Sequence, residues 1–172
     1  MIVKNNISFL TLMTCNALLV CCLTMINSTL GTFGLFLYLP GLLFLQTGLF
    51  LGTRQTLTLL FLTGLLYDHS VKSTFGFHGL CLCFSYLCIQ EIFKLGKDFK
   101  FGQPLTVQVS LNLIIGIFWL AFSQISRPFS ASWGIGQAIL DLTISTILII
   151  PIGAWYSSFC KRLIMKLSPQ VH

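Results

Sequence analysis

Charge is what this chain lacks. Of its 172 residues only 8% are Asp, Glu, Lys or Arg, and only 4 of those are acidic. That is far too few to solvate the surface of a soluble domain of this size. With 55% hydrophobic residues and a mean hydropathy of +0.89, the composition is that of an all-α integral membrane protein. The 10 basic residues give a formal charge of +6. In a membrane chain this bias speaks to topology, and nucleic acid is not an expected partner. Long polar stretches are also missing, so no soluble domain is expected on either side of the bilayer. Internal repeats and low-complexity tracts are absent.

Several chemical signatures are missing too. The seven cysteines, Cys15, Cys21, Cys22, Cys81, Cys83, Cys88 and Cys160, lie inside or at the edges of apolar segments. They read as reduced, lipid-buried thiols rather than a disulfide framework. Cys81-x-Cys83 with His78 nearby is the closest approach to metal-ligand spacing and falls short of it. No metal and no cofactor is expected. Lys4 precedes an apolar run that reaches about residue 27, which is too long for the core of a signal peptide and lacks an A-x-A-like exit, so it reads as a span.

What is there is a series of apolar runs. A helix needs ~20 residues to cross a ~30 Å hydrocarbon core. Runs near that length cover residues 7 to 27, 32 to 51, 55 to 70, 75 to 93, 105 to 124 and 135 to 159. They predict a compact bundle of six transmembrane helices forming a single domain over residues 1 to 172. The second and third runs are separated only by Gly52-Thr53-Arg54, so five spans with one re-entrant segment is the alternative. Six spans with cytoplasmic termini place Lys4, Arg54, Lys94, Lys97, Lys100, Lys161, Arg162 and Lys166 inside, and only Lys72 and Arg127 outside. Small-residue faces at Gly48-x-x-x-Gly52, Ala17-x-x-x-Cys21 and Gly64 would let helix backbones approach closely.

Polar residues within the spans carry the remaining information, because each is expensive in lipid. Asp68 is expected to end the third span at the outer face, in a hairpin with a local ion pair to Lys72. Ser73 or Thr74 would cap the next helix, and Gly76 and Gly79 would let it press against a neighbour. His69 and His78 read as interfacial, as does Glu91. Asp141 lies on one helical face with Gln137 and Ser145, a polar stripe turned into the bundle.

These residues form no complete catalytic arrangement. Tyr67-Asp68 resembles the first half of the presenilin-type aspartyl pair, but Asp141 follows Gln137-Ala138-Ile139-Leu140 rather than G-x-G. No G-x-S-G elbow supports a rhomboid-like serine, so no enzymatic activity is expected.

The stretch Gly64-Leu65-Leu66-Tyr67-Asp68, followed by Ser73-Thr74-Phe75-Gly76, resembles the MreD family of bacterial rod shape-determining membrane proteins. That family shows G-x-x-x-D, a small polar loop, then a glycine opening the next helix. Pro40 and the Gly52-Thr53-Arg54 turn upstream, and Pro151 before Lys161-Arg162 downstream, fit its outline. The match covers about residues 35 to 95. The resemblance implies a multi-pass subunit of the bacterial inner (cytoplasmic) membrane serving cell-wall elongation. It would bind MreC and, through it, MreB, the RodA-type glycosyltransferase and a class B penicillin-binding transpeptidase of peptidoglycan synthesis. A second resemblance is to the substrate-binding S-components of energy-coupling-factor vitamin transporters. These share the six-span architecture, and here Asp141, Gln137, Asp68, Arg127 and Trp133 would converge on an outward pocket.

Overall fold

The computed structural model describes residues 2–44, 51–71, 73–95, 104–126 and 135–167. Among these, five α-helices form: α1 (Ile2–Leu30), α2 (Thr53–Val71), α3 (Phe77–Leu95), α4 (Pro104–Ser126) and α5 (Ile135–Leu167). Three stretches, Asn6–Phe33, Leu105–Phe122 and Gly136–Leu167, are long and apolar enough to cross a bilayer. Large apolar side chains stand outward along them, including Leu10, Leu18 and Met25 on α1, Ile117 and Phe118 on α4, and Ile147 and Trp155 on α5. Water would penalise such faces and lipid tails do not, so the chain is a helical membrane protein.

α2 and α3 follow the expected third and fourth spans within a few residues, and each has 19 residues. They pair as a hairpin. A Cβ added at Gly64 would sit 2.4 Å from both Cα and N of Gly79, so these two positions are where the backbones meet. α5 runs further than expected and carries Pro151 inside it. The missing N–H of that proline removes one helical bond without ending the helix.

The expected second span is the departure. From residue 31 the chain makes a 3₁₀ turn (Gly31–Phe33), an extended stretch over residues 35 to 39, and a 3₁₀ helix (Pro40–Phe44), while residues 45–50 lie outside the described ones. No α-helix forms across 31–44, so the described residues hold five helices, three of them long and apolar enough to span, rather than the six helical spans expected. Two residues explain the break. Gly34 adopts φ +72°, and its N–H and that of Leu35 donate to Gly31 O and Leu30 O at 3.1 Å each, a left-handed stop to the preceding helix. Pro40 biases Leu39 toward extended backbone.

This irregular segment is the centre of the molecule. Leu39, Leu42 and Leu43 are fully buried, packed among Val20 and Leu23 of α1, Leu60 and Tyr67 of α2, Leu82 of α3, Ile115 of α4 and Ile149 of α5. A second cluster of Leu12, Cys15, Leu51, Leu59, Tyr156, Cys160 and Ile164 joins α1, α2 and α5. There the Tyr156 hydroxyl donates to Asn16 Oδ1 at 2.8 Å.

Candidate functional site

A buried extended chain must satisfy its own amides, since neither water nor a helix does so. Here every donor from residue 36 to residue 42 has an acceptor, most of them side chains on other elements. Phe36 N–H donates to Asp141 Oδ1 (3.2 Å), Leu37 N–H to Asn27 Oδ1 (2.8 Å) and Tyr38 N–H to Ser145 Oγ (2.8 Å). Leu39 N–H donates to the Tyr67 hydroxyl (3.1 Å), Pro40 has no donor, Gly41 N–H reaches Asn112 Oδ1 (3.2 Å), and Leu42 N–H turns back to Leu39 O (3.2 Å). Carbonyls are served as well: Asn27 Nδ2 donates to Leu37 O (2.9 Å), Asn112 Nδ2 to Tyr38 O (3.0 Å) and Gln137 Nε2 to Gly34 O. Four helices thus each contribute polar groups to one stretch of backbone.

This reassigns the stripe on α5. Gln137, Asp141 and Ser145 do face inward as expected, but they face the backbone of residues 34 to 38. The Ser145 hydroxyl also donates to Asp141 O at 2.6 Å.

The Asp68 cluster is a second network. Asp68 is 1% exposed at the end of α2 and its carboxylate accepts four hydrogen bonds. Gly76 N–H gives one to Oδ2 (2.8 Å), while Ser73 Oγ (2.7 Å), His78 N–H (3.1 Å) and His78 Nδ1–H (2.5 Å) all reach Oδ1. Two of these are the amides that open α3. Asp68 therefore caps the next helix across the hairpin, with its negative charge at the positive helix end. The cap expected from Ser73 or Thr74 is supplied by Asp68. Gly76 holds φ +90° with open space around it, so its role is the left-handed turn that aims its N–H at Asp68, and close packing falls to Gly79 alone.

His78 corrects another expectation. It is fully buried rather than interfacial, and its Nδ1–H is hydrogen-bonded to Asp68; Lys72, the expected ion-pair partner of Asp68, lies outside the described residues. With Nδ1–H held by the carboxylate, Nε2 is left to accept the Tyr38 hydroxyl at 2.6 Å. A carboxylate–imidazole–hydroxyl chain results, in the order of a nucleophilic triad. Its hydroxyl end is Tyr38, only 2% exposed and boxed by the rings of Tyr67 and Trp119 with centroids 6.1 and 5.0 Å away. The chain clasps the central segment to the α2–α3 hairpin.

The other sequence candidates separate from these networks. Gly52 precedes α2 and accepts Thr56 N–H at 2.9 Å with open space about it, so it starts a helix and forms no packing face. Gly48 lies outside the described residues. Arg54 and His69 are exposed, and Cys21 is exposed too, so Ala17-x-x-x-Cys21 is no tight interface; the buried polar residue of that helix turn is Asn16. The seven cysteines are unpaired thiols. Arg127 and Trp133 lie outside the described residues, and Asp68 and Asp141 serve different networks rather than one pocket.

A small cavity does border Asp141. Phe36, Tyr38, Trp119, Ala138 and Leu142 complete much of its wall, and about 20 Å³ is open within it. Asp141 is 5% exposed, and its Oδ2 has no hydrogen-bond partner among the described residues.

Residues that sequence reasoning did not single out are Asn27, Tyr38 and Asn112, and Tyr67 and His78 were weighed for other roles. Their signal was available, since each is a polar group inside an apolar run and requires a partner there. Comparison with known proteins adds no relative: no family profile, no curated protein and no solved structure matches this chain.

Proposed function

We propose that the chain is a non-enzymatic subunit of the bacterial inner membrane, an adaptor of the cell-wall elongation machinery that holds MreC and, through it, MreB, the RodA-type glycosyltransferase and the class B penicillin-binding transpeptidase. The resemblance over residues 35 to 95 suggests this reading. One observation carries it further: the Asp68 carboxylate, centre of the resembling motif, has its four hydrogen bonds committed to the α2–α3 turn. A motif whose acid is consumed in shaping a hairpin suits a docking element better than a reaction centre. Phe75, 79% exposed at the tip of that hairpin, is the apolar side chain it presents.

Cross-linking in the native membrane, mild detergent extraction and mass spectrometry test the proposal. MreC is expected among the partners, and Phe75→Ala is expected to weaken its recovery without altering thermal stability. Recovery of an ATPase pair with a transmembrane coupling subunit would overturn the adaptor reading in favour of a transporter S-component. The unpartnered Asp141 Oδ2 at a cavity favours that second reading, but its size argues against it. About 20 Å³ holds one water-sized group, whereas small-molecule sites run from roughly 300 Å³ upward.

A further inference from the structure

A carboxylate oxygen buried beside a cavity with nothing to accept from is an unstable arrangement. Taking an unpaired carboxylate out of water costs several kcal/mol, and proteins answer by pairing the charge or neutralising it. Oδ1 of Asp141 already accepts from Phe36 N–H, while Oδ2 has no hydrogen-bond partner among the described residues. The cavity that Asp141 lines, about 20 Å³, fits one group the size of a water molecule. The walls are aromatic on one side: Trp119 stacks with Tyr38 at 5.0 Å between centroids and with Phe36 at 6.5 Å. A carboxylate oxygen, π-systems and room for one heavy atom with its hydrogens together select a small cation that donates hydrogen bonds.

We propose that the Asp141 cavity is a binding site for a primary ammonium group, held by Oδ2 of Asp141 against the rings of Trp119 and Tyr38. Size sets the selectivity. A –NH₃⁺ head matches the cavity, while a quaternary trimethylammonium head, with three methyl groups in place of hydrogens, does not. The group could belong to a free small amine or to the headgroup of phosphatidylethanolamine, and the chemistry of recognition is the same for both. The proposal does not depend on the adaptor reading.

The test uses the full chain with two probes. In nanodiscs of phosphatidylglycerol mixed with either phosphatidylethanolamine or phosphatidylcholine, native mass spectrometry reads which lipid stays bound. In lipid-free detergent, methylammonium chloride is titrated against tryptophan fluorescence, with tetramethylammonium chloride as the matched control. Two substitutions accompany each probe. Asp141→Asn keeps the acceptor for Phe36 N–H and removes the charge, while Ala138→Val leaves the carboxylate and fills the cavity from the same helix face.

Phosphatidylethanolamine retained about tenfold over phosphatidylcholine, with the preference lost in both variants, supports the site and assigns it to lipid; tenfold corresponds to ~1.4 kcal/mol. Saturable methylammonium binding without lipid preference, also lost in both variants, supports it and assigns a free amine. Equal retention of both lipids together with no methylammonium response beyond the control overturns it. So does any response that survives in Asp141→Asn and Ala138→Val. If Asp141→Asn fails to fold, Ala138→Val decides alone.

Discussion

Replacing Gly64 by alanine adds one methyl group, and the surroundings of that methyl are known in detail. The new Cβ would lie 2.4 Å from Cα and N of Gly79 and 2.9 Å from C of His78. Carbon–carbon contacts are comfortable at ~3.5–4.0 Å, so α3 must recede by about 1 Å or more. Backbone atoms have no alternative rotamer, and His78 cannot move without stretching its 2.5 Å bond to Asp68 and its 2.6 Å bond to Tyr38. Two effects compete. Alanine gains up to ~1 kcal/mol of helix propensity over glycine, and overpacking typically costs ~1–3 kcal/mol. Because the clash involves backbone and disturbs two short buried bonds, the cost should sit near its upper end, leaving a net loss of about 2 kcal/mol. Gly136→Ala is the matched control, since its Cβ would meet nothing within 4 Å. Reversible unfolding of both variants in mixed micelles at increasing denaturing-detergent fraction reads the difference. Gly64→Ala as stable as wild type, or more so, would refute the close-contact argument.

The two buried networks yield further expectations under the same assay. Asp68→Ala strips four donors of their acceptor and leaves His78 buried without its partner. Breaking a buried pair in this way costs ~3–5 kcal/mol, and a loss below about 1 kcal/mol would contradict its role as the cap of α3. Gly76→Ala forces a Cβ into φ +90°, so destabilisation of ~1–3 kcal/mol is expected although the space around it is open; a neutral result would show that the turn relaxes. Ser145→Ala orphans the buried Tyr38 N–H and should cost ~1–3 kcal/mol. Ser158→Ala, whose hydroxyl bonds only its own exposed helix turn, serves as the neutral comparison.

Much of the frame was legible in sequence. Apolar run length located α2, α3 and α4 within a few residues, and the glycine at 64 marked a true close approach. The inward stripe on α5 followed from four-residue spacing. What failed was the described part of the second run, residues 32 to 44. Continuous hydrophobicity carries no period, so it fits a helix and a buried extended strand equally well. Pro40 was the visible clue to the break. The hydrogen-bond partners that make an extended backbone tolerable there lie up to 107 residues away, on helices whose approach no local pattern encodes. His78 failed for a related reason: its partner Asp68 is ten residues distant, but only across a turn whose geometry depends on Gly76.

The stripe on α5 and the central segment also match in pitch. Gln137, Asp141 and Ser145 are four residues apart, or about 6.0 Å along a helix rising ~1.5 Å per residue. Two of the groups they bind, the N–H of Phe36 and the N–H of Tyr38, are two residues apart, or about 6.6 Å along an extended chain, while the third, Gly34 O, belongs to the left-handed turn before them. Asp141 and Ser145 therefore read alternate backbone N–H groups as a neighbouring β-strand would, ascending in the same direction as the segment they bind. The mismatch over that step is about 0.6 Å, within the difference in reach between an aspartate and a serine side chain, and the longer glutamine side chain at position 137 reaches the carbonyl at the turn. A fourth contact would add to the drift, and Pro40, with no N–H to offer, removes the donor two residues beyond Tyr38. The length of the extended stretch is thereby limited by geometry on one side and by a missing proton on the other. A single insertion between Asp141 and Ser145 would turn the two by ~100° relative to each other and leave Phe36 or Tyr38 N–H without its acceptor, so such a variant is expected to lose at least the ~1–3 kcal/mol of an orphaned buried donor, whereas an insertion after Lys166, near the exposed end of α5, should be silent.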